Sequence, residues 1–458
     1  VLVGESSGPI GVDANISANQ QPSLVTRSPL TIPPLPENIH DLFETYFAYT
    51  HTWLPFVDKF KLSAFAYSQA GCAQRATTLT PCQSANLALA WAVAAYAYTR
   101  APDAAGSNPG DSVNKFDPRV AAEISLSLIP AFSVDLDHEH IQALVLLAVF
   151  HFENDNHRLS WLLIGLAGRV AVDLSAATPG QHLSSTTRRT SLACFVVENI
   201  IAASLDRRPQ TVSQQRAHTV NDRTKANIYE LEAEGWEEWS RWEMPGSVEL
   251  HTASSRGKTK EPFRIISTFN RTVSLAGILN TGTSSNQLID PDSPTTTDNA
   301  SRTWDPELSS WTHDTRDLHP SMDYNNTADS LLPHIVSLRA VYLLSRCTLL
   351  IKSSHSRCDE QGYKERCCQL AAAVNELASR YRAAHPAGPI PLGLIGSMMV
   401  AMQLPGLSDS LKRLLSTQVH AARHDREVTM SDGLDFYQDR DVDWFDTTDT
   451  INNNNTVR

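Results

Sequence analysis

Residues 140–173 read HIQALVLLAVFHFENDNHRLSWLLIGLAGRVAVD, and the way this stretch breaks decides the fold. Ile141, Leu144, Val145, Ala148, Val149 and Phe152 recur at the spacing of a helical face. Glu153-Asn154-Asp155-Asn156 follows, where short polar side chains bond nearby backbone more readily than they extend a helix. Helical spacing then resumes, and Trp161, Ile164, Gly165, Ala167, Gly168, Ala171 and Val172 make a surface of small residues on which another helix can sit closely. The pattern predicts a pair of helices joined by a polar turn. A further helix is predicted within 186–212 (TTRRTSLACFVVENIIAASLDRRPQTV), apolar at Leu192, Phe195, Val196, Ile200 and Ala203 and ending before Pro209. The first pair is largely apolar all round, which predicts a place deep in a helical core.

Working outward, Ile39, Leu42, Phe43, Tyr46, Phe47, Thr50 and Trp53-Leu54 mark a helical face that Pro55 stops. Leu87 to Tyr98 is an Ala-rich helix of buried character, and Arg119 to Pro130 is a short one. Downstream, helical period recurs at Pro262 to Asn280, Leu331 to Lys352, Tyr363 to Ala384, Pro389 to Gln403 and Ser408 to His424. Alternating hairpin patterns with Asn-Gly or Asp-Gly turns do not appear, so the expected class is all-α. Residues 1–36, rich in Gly, Ser, Pro and Asn, are expected to be a disordered lead-in to a large multi-helix domain over 37–425. Within it, 281–328 is poor in apolar residues and expected to be a disordered insertion. Residues 426–458 form an acidic aromatic tail.

The 458 residues can bury a sizeable core, and their net charge of −12 argues against a nucleic-acid surface covering much of the chain. Seven scattered cysteines, an odd number, make no disulfide framework and point to a reducing, intracellular compartment. None belongs to a C-x2-C pair, so no zinc site is expected in this chain, and adjacent Cys367 and Cys368 read as structural thiols. His138, His140, His151 and His157, with Glu139 and Glu153, flank the first central helix but lack the i, i+4 histidine pairing of a helical metal site. Exposed or capping histidines are expected there. Gly165-Leu-Ala-Gly168 lies inside a helix and is no phosphate loop, and nucleophile-elbow and paired-carboxylate signals are lacking. The chain is therefore expected not to be an enzyme and to hold no cofactor. No apolar run reaches membrane-spanning length, so no membrane partner is expected.

Trp161, Gly165, Ala167, Arg169, Ala171, Asp173 and Leu174, followed by Arg188, Arg189, Arg208 and Pro209, resemble the middle regulatory region of fungal zinc-cluster (Zn2Cys6) transcription factors. Tyr46-Phe47, His51, Leu54-Pro55-Phe56 and Asp58 resemble that family's opening helix. Departures are Ser175 for a usual Gly, Leu192 for Trp, Asn199 for an acidic residue and Asp206 for Gly. Glu237-Glu238-Trp239 and Trp242, with Trp236 on the same helical face, resemble the regulators of sugar and quinate catabolism. The resemblance implies a nuclear regulator of RNA polymerase II transcription, activator or repressor, with coactivator partners and room for a homodimer. DNA contact, and the zinc it requires, would come from a cluster upstream of Val1. A helical scaffold or corepressor that keeps the fold without binding DNA is the alternative.

Trp161, Gly165, Gly168, Arg169, Asp173, Arg188, Arg189 and Arg208 are the candidate site, under either of two readings. They make an internal ion network, Arg169 with Asp173 at i, i+4 and Arg188 and Arg189 reaching Asp173 or Glu198. Otherwise they line a pocket in which Arg169 meets a small acidic metabolite. In the tail, Phe436, Tyr437, Trp444 and Phe445 alternate with aspartates, the composition of an activation segment that offers aromatics to coactivator grooves.

Overall fold

The computed structural model describes residues 31–69, 74–75, 79–98, 117–130, 136–177, 184–210, 264–284, 306–313, 331–352, 360–385 and 389–424. The lead-in to residue 30, the tryptophans at 236, 239 and 242, and the tail 426–458 lie outside them. The described residues are helical apart from turns and a two-residue antiparallel ladder, β1 (Thr31–Ile32) on β2 (Gln74–Arg75). The all-α expectation therefore holds.

In chain order the N-terminal helices are α1 (Ile39–Tyr49), α2 (Lys59–Gln69), α3 (Pro81–Tyr98) and α4 (Pro118–Leu128). Every residue of α3 from Ala85 to Ala97 is buried, because a helix lined with alanine lets neighbours close on all sides. Asp117 caps α4 by accepting the amide of Arg119, with Pro118 in the first turn where its missing N–H costs nothing. Ser125 Oγ in α4 donates to Ala88 O in α3 at 2.7 Å, satisfying a hydroxyl within the core.

The central unit is α5 (His138–Glu153), α6 (His157–Ala177) and α7 (Ser185–Ser204). Asp155, at φ 60°, makes the left-handed step between α5 and α6, a conformation that Asp tolerates better than most side chains. Ser160 Oγ donates to Ala148 O at 2.7 Å and ties α6 back onto α5. Helix α5 is buried nearly throughout, as its composition predicts. Helix α6 is not: Leu163, Ile164, Ala167 and Ala171 face inward, while Arg158, Leu162, Arg169 and Asp173 are exposed. The expectation that both helices lie deep in the core is corrected for α6, whose charged residues share a solvent-facing stripe.

The C-terminal helices are α8 (Ile265–Ser284), α9 (residues 306–313), α10 (Pro333–Lys352), α11 (Glu360–Ala384), α12 (Leu392–Ala401) and α13 (Asp409–His424). Helix α9 falls inside the stretch 281–328 expected to be disordered, and α8 runs on to Ser284. Trp311 explains the departure: buried, it stacks on Tyr342 at 5.7 Å between ring centres and donates to Arg271 O at 3.3 Å. A single well-placed aromatic anchors a polar segment that composition alone reads as loose.

The expectation that no apolar run reaches membrane-spanning length is corrected by helix α10, which is long and apolar enough by composition, yet most of it is buried inside the bundle. Helix α7 joins the halves, packing on α5 and α6 on one side and on α8, α10 and α12 on the other. Close approach there depends on glycine: a Cβ on Gly396 of α12 would lie 2.5 Å from Ser204 Oγ of α7.

Candidate functional site

The residues singled out from sequence do not gather into one site. Gly165 and Gly168 are buried on α6, Trp161 is half-buried, and Arg169, Asp173 and Arg208 are exposed. The chain leaving α7 folds back over this face. Gln210 N donates to the buried carboxylate of Glu198 at 2.7 Å, and Arg207 lies over the Trp161 ring at 5.6 Å. Arg169 Nη2 donates to Gln210 Oε1 at 2.5 Å. A Cβ on Gly165 would sit 3.2 Å from that same oxygen, so the room left by the glycine is filled by Gln210. On this face the chain leaving α7 forms a strap across Gly165 and Trp161.

Two links of the expected ion network are corrected as well. Arg169 and Asp173 form no ion pair, and Arg188 pairs with neither Asp173 nor Glu198. The physical reason for the first is the exposure of Arg169 and Asp173, where water solvates each charge and an ion pair gains little. Arg189 lies near His51. Burial first, and then the charges of Arg189 and Lys59, push the His51 imidazole down to about 3.

A cleft of about 250 Å³ lies elsewhere, between α2, α3 and the N-terminal ends of α5 and α7. Asp58, Lys61 and Leu62 reach it from the start of α2, Asn86 and Leu89 from α3, His138, Glu139 and Gln142 from α5, and Ser184, Thr186 and Thr187 from α7. Local capping sets these side chains. Asp58 Oδ1 accepts from Lys61 N at 3.0 Å, and Ser184 Oγ accepts from Thr187 N at 3.1 Å.

Lys61 and Glu139 are ion-paired across the cleft. Glu139 is 8% exposed. Burial alone would raise its carboxyl, but the hydrogen bond and charge of Lys61 outweigh it and hold the group below the usual range. Burial likewise would lower Lys61, and Glu139 reverses that direction. The pair has fixed its own protonation.

His138 is positioned by a relay. Gln142 Nε2 donates to Phe56 O at 2.6 Å and to Thr190 Oγ1 at 3.1 Å. Thr190 Oγ1 in turn meets His138 Nε2 at 3.0 Å, where Gln142 Nε2 also approaches at 3.1 Å. With both amide hydrogens of Gln142 on Phe56 O and Thr190 Oγ1, the Thr190 hydroxyl is the donor left for Nε2, and the neutral ring then carries its proton on Nδ1. Burial lowers the imidazole pKa and keeps the ring neutral. Nδ1 is buried and has no hydrogen-bond partner among the described residues. An unmatched buried donor costs about 1–3 kcal/mol.

The other flanking histidines serve structure. His140 is fully buried, not exposed, and its Nδ1 accepts from Asp137 N at 3.1 Å in the capping box of α5. Burial lowers His151 to about 4. Among the described residues no His, Cys, Asp and Glu side chains gather into a set that could hold a metal ion. Cys367 is buried and Cys368 half-buried, and burial, with Cys367 adding to it, pushes the Cys347 thiol up to about 12. Sequence reasoning noticed His138 and Glu139 only as helix flankers. Nothing in the chain signalled that Lys61, 78 residues earlier, would face Glu139.

The model of the fungal specific transcription factor domain matches residues 43–317, from within α1 to just past α9. The chain belongs to this family. Its members are transcription factors rather than enzymes. Over 288 residues, 60% of this chain and 33% of the relative, the sequence is 29% identical to the Quinic acid utilization activator of Emericella nidulans. It is 27% identical over 197 residues to Transcription factor qa-1f of Neurospora crassa, covering 41% of this chain and 24% of that protein. The chain thus spans a third or less of the length of the curated relatives it matches. No solved structure matches.

Proposed function

We propose that this chain is the regulatory domain of an RNA polymerase II transcription factor that acts in the nucleus and answers to a small effector. The observation that carries the reading is the family match over 43–317, which takes in the whole central unit and its joining helix α7. The relatives' names, an activator of quinic acid utilization and a transcription factor, support an activating role in a catabolic gene set. DNA contact is assigned to a zinc cluster outside these residues, because the chain carries a net charge of −12 and no C-x2-C pair. Coactivators are assigned to Phe436, Tyr437, Trp444 and Phe445 of the tail.

The test is a fusion of the 458-residue chain to an unrelated DNA-binding domain upstream of a reporter. Activation that falls when the four tail aromatics become alanine supports the reading. Silence of the fusion, or repression of basal transcription, would favour a scaffold or corepressor.

A further inference from the structure

We propose that the cleft between α2, α3 and the N-terminal ends of α5 and α7 binds a small neutral polyhydroxylated molecule, a cyclitol or monosaccharide. This rests on the effector-responsive reading above and names the effector's chemistry.

Size comes first. A cavity of about 250 Å³ admits one sugar-sized ring. Leu62 and Leu89 supply the apolar patches that the C–H face of such a ring requires.

The hydrogen-bonding pattern then selects hydroxyls. His138, in the wall of the cleft, has a buried Nδ1–H with no acceptor among the described residues. Asn86 commits its amide nitrogen to Cys82 O at 2.7 Å, which leaves its carbonyl oxygen as an acceptor toward the cleft. Asp58 and Glu139 each have one carboxylate oxygen held by a protein donor and a second that can accept. A hydroxyl group is what accepts from the imidazole and donates to a carboxylate or amide oxygen at once. Several hydroxyls on one ring would satisfy these groups together.

Charge decides against the ionic alternatives. Two carboxylates face one ammonium, and that ammonium is already paired with Glu139. An anion entering the cleft is favoured by the positive ends of α5 and α7 but meets two full carboxylate charges against one ammonium, a net repulsion. A cation would compete with Lys61 and face the positive ends of α5 and α7. The acidic metabolite expected at Arg169 therefore does not suit this cleft.

The experiment is calorimetric titration of the purified 458-residue chain with myo-inositol and D-glucose as neutral probes and with quinate and glucose 6-phosphate as anionic ones. Saturable binding of a neutral probe, weakened at least about ten-fold by His138→Phe and abolished by Thr186→Trp, is the expected result. Thr186 is at the rim of the cleft, so a tryptophan there fills it without entering the core. If that variant loses its thermal transition, Asn86→Leu, which removes an acceptor, takes its place. The proposal is overturned if no neutral probe binds saturably at millimolar concentration. It also fails if an anionic probe binds at least as tightly as the neutral ones, or if the cleft variants leave binding unchanged. A chain that drives the reporter fusion yet binds no neutral probe removes this inference alone, whereas sugar binding with a silent fusion removes the regulatory reading.

Discussion

Lys61 and Glu139 stand 78 residues apart in the chain and form an ion pair that closes one side of the cleft between α2 and α5. The lysine is half exposed while the carboxylate is nearly buried, at 54% and 10% side-chain exposure, so the pair is asymmetric. Removing the lysine strands a buried charge, and removing the carboxylate leaves a solvated one.

Lys61→Met should accordingly cost more than Glu139→Gln, about 1–2 kcal/mol against less than ~1, once solvent screening of the exposed lysine is allowed for. Glu139 has its pKa lowered, so its contribution is present above the unfolded value near 4.5 and is lost as pH falls below it. Lys61 has its pKa raised, so its contribution is present below 10.5 and fades as pH rises through the folded value. Urea melts of both variants at neutral pH measure the asymmetry, and equal losses would contradict it.

Acid should destabilise the fold well before its carboxylates titrate. His51 is fully buried with its imidazole held down to about 3, against 6.5 when exposed. The unfolded chain therefore binds the extra proton between those values, and stability falls as pH drops from 6.5 toward 3. Between pH 6.5 and 5 the His51 contribution amounts to about 2 kcal/mol, at ~1.4 kcal/mol per unit. His151, lowered to about 4, acts in the same direction. Chemical denaturation across this range should show a slope that His51→Leu makes shallower. An unchanged slope would mean that His51 is not the group responsible.

Gly396 lets α12 touch α7. A methyl there meets Ser204 Oγ at 2.5 Å and Ile200 Cγ2 at 3.3 Å, so Gly396→Ala should destabilise by about 1–3 kcal/mol despite alanine's better helix propensity. Ser204→Ala removes the oxygen that clashes, and the double variant should recover much of the loss. Additive losses in that cycle would place the strain elsewhere.

Arg169→Met should leave the thermal midpoint almost unmoved, within about 0.5 kcal/mol, because Arg169 is exposed and, among the described residues, bonds only the exposed Gln210. Glu198→Ala removes the buried acceptor of Gln210 N and should cost about 1–3 kcal/mol. Differential scanning calorimetry of the pair distinguishes an exposed clasp from a buried anchor.

The chain's own residues determined the helices and most of their faces. Apolar spacing placed α5 and α7, alanine content buried Ala85 to Ala97, and the Glu153–Asn156 run ended α5, because these effects act within a few turns of one helix. The family, too, was legible in the spacing from Trp161 to Pro209. Tertiary structure alone decided which polar residues meet. It turned Arg169 and Asp173 to solvent, drew Gln210 over Gly165, anchored Trp311 on Tyr342, and set Lys61 against Glu139 beside the unmatched Nδ1 of His138. A local pattern records which side of a helix is apolar. It carries no record of which distant helix comes to cover that side, and a cleft is made by that choice.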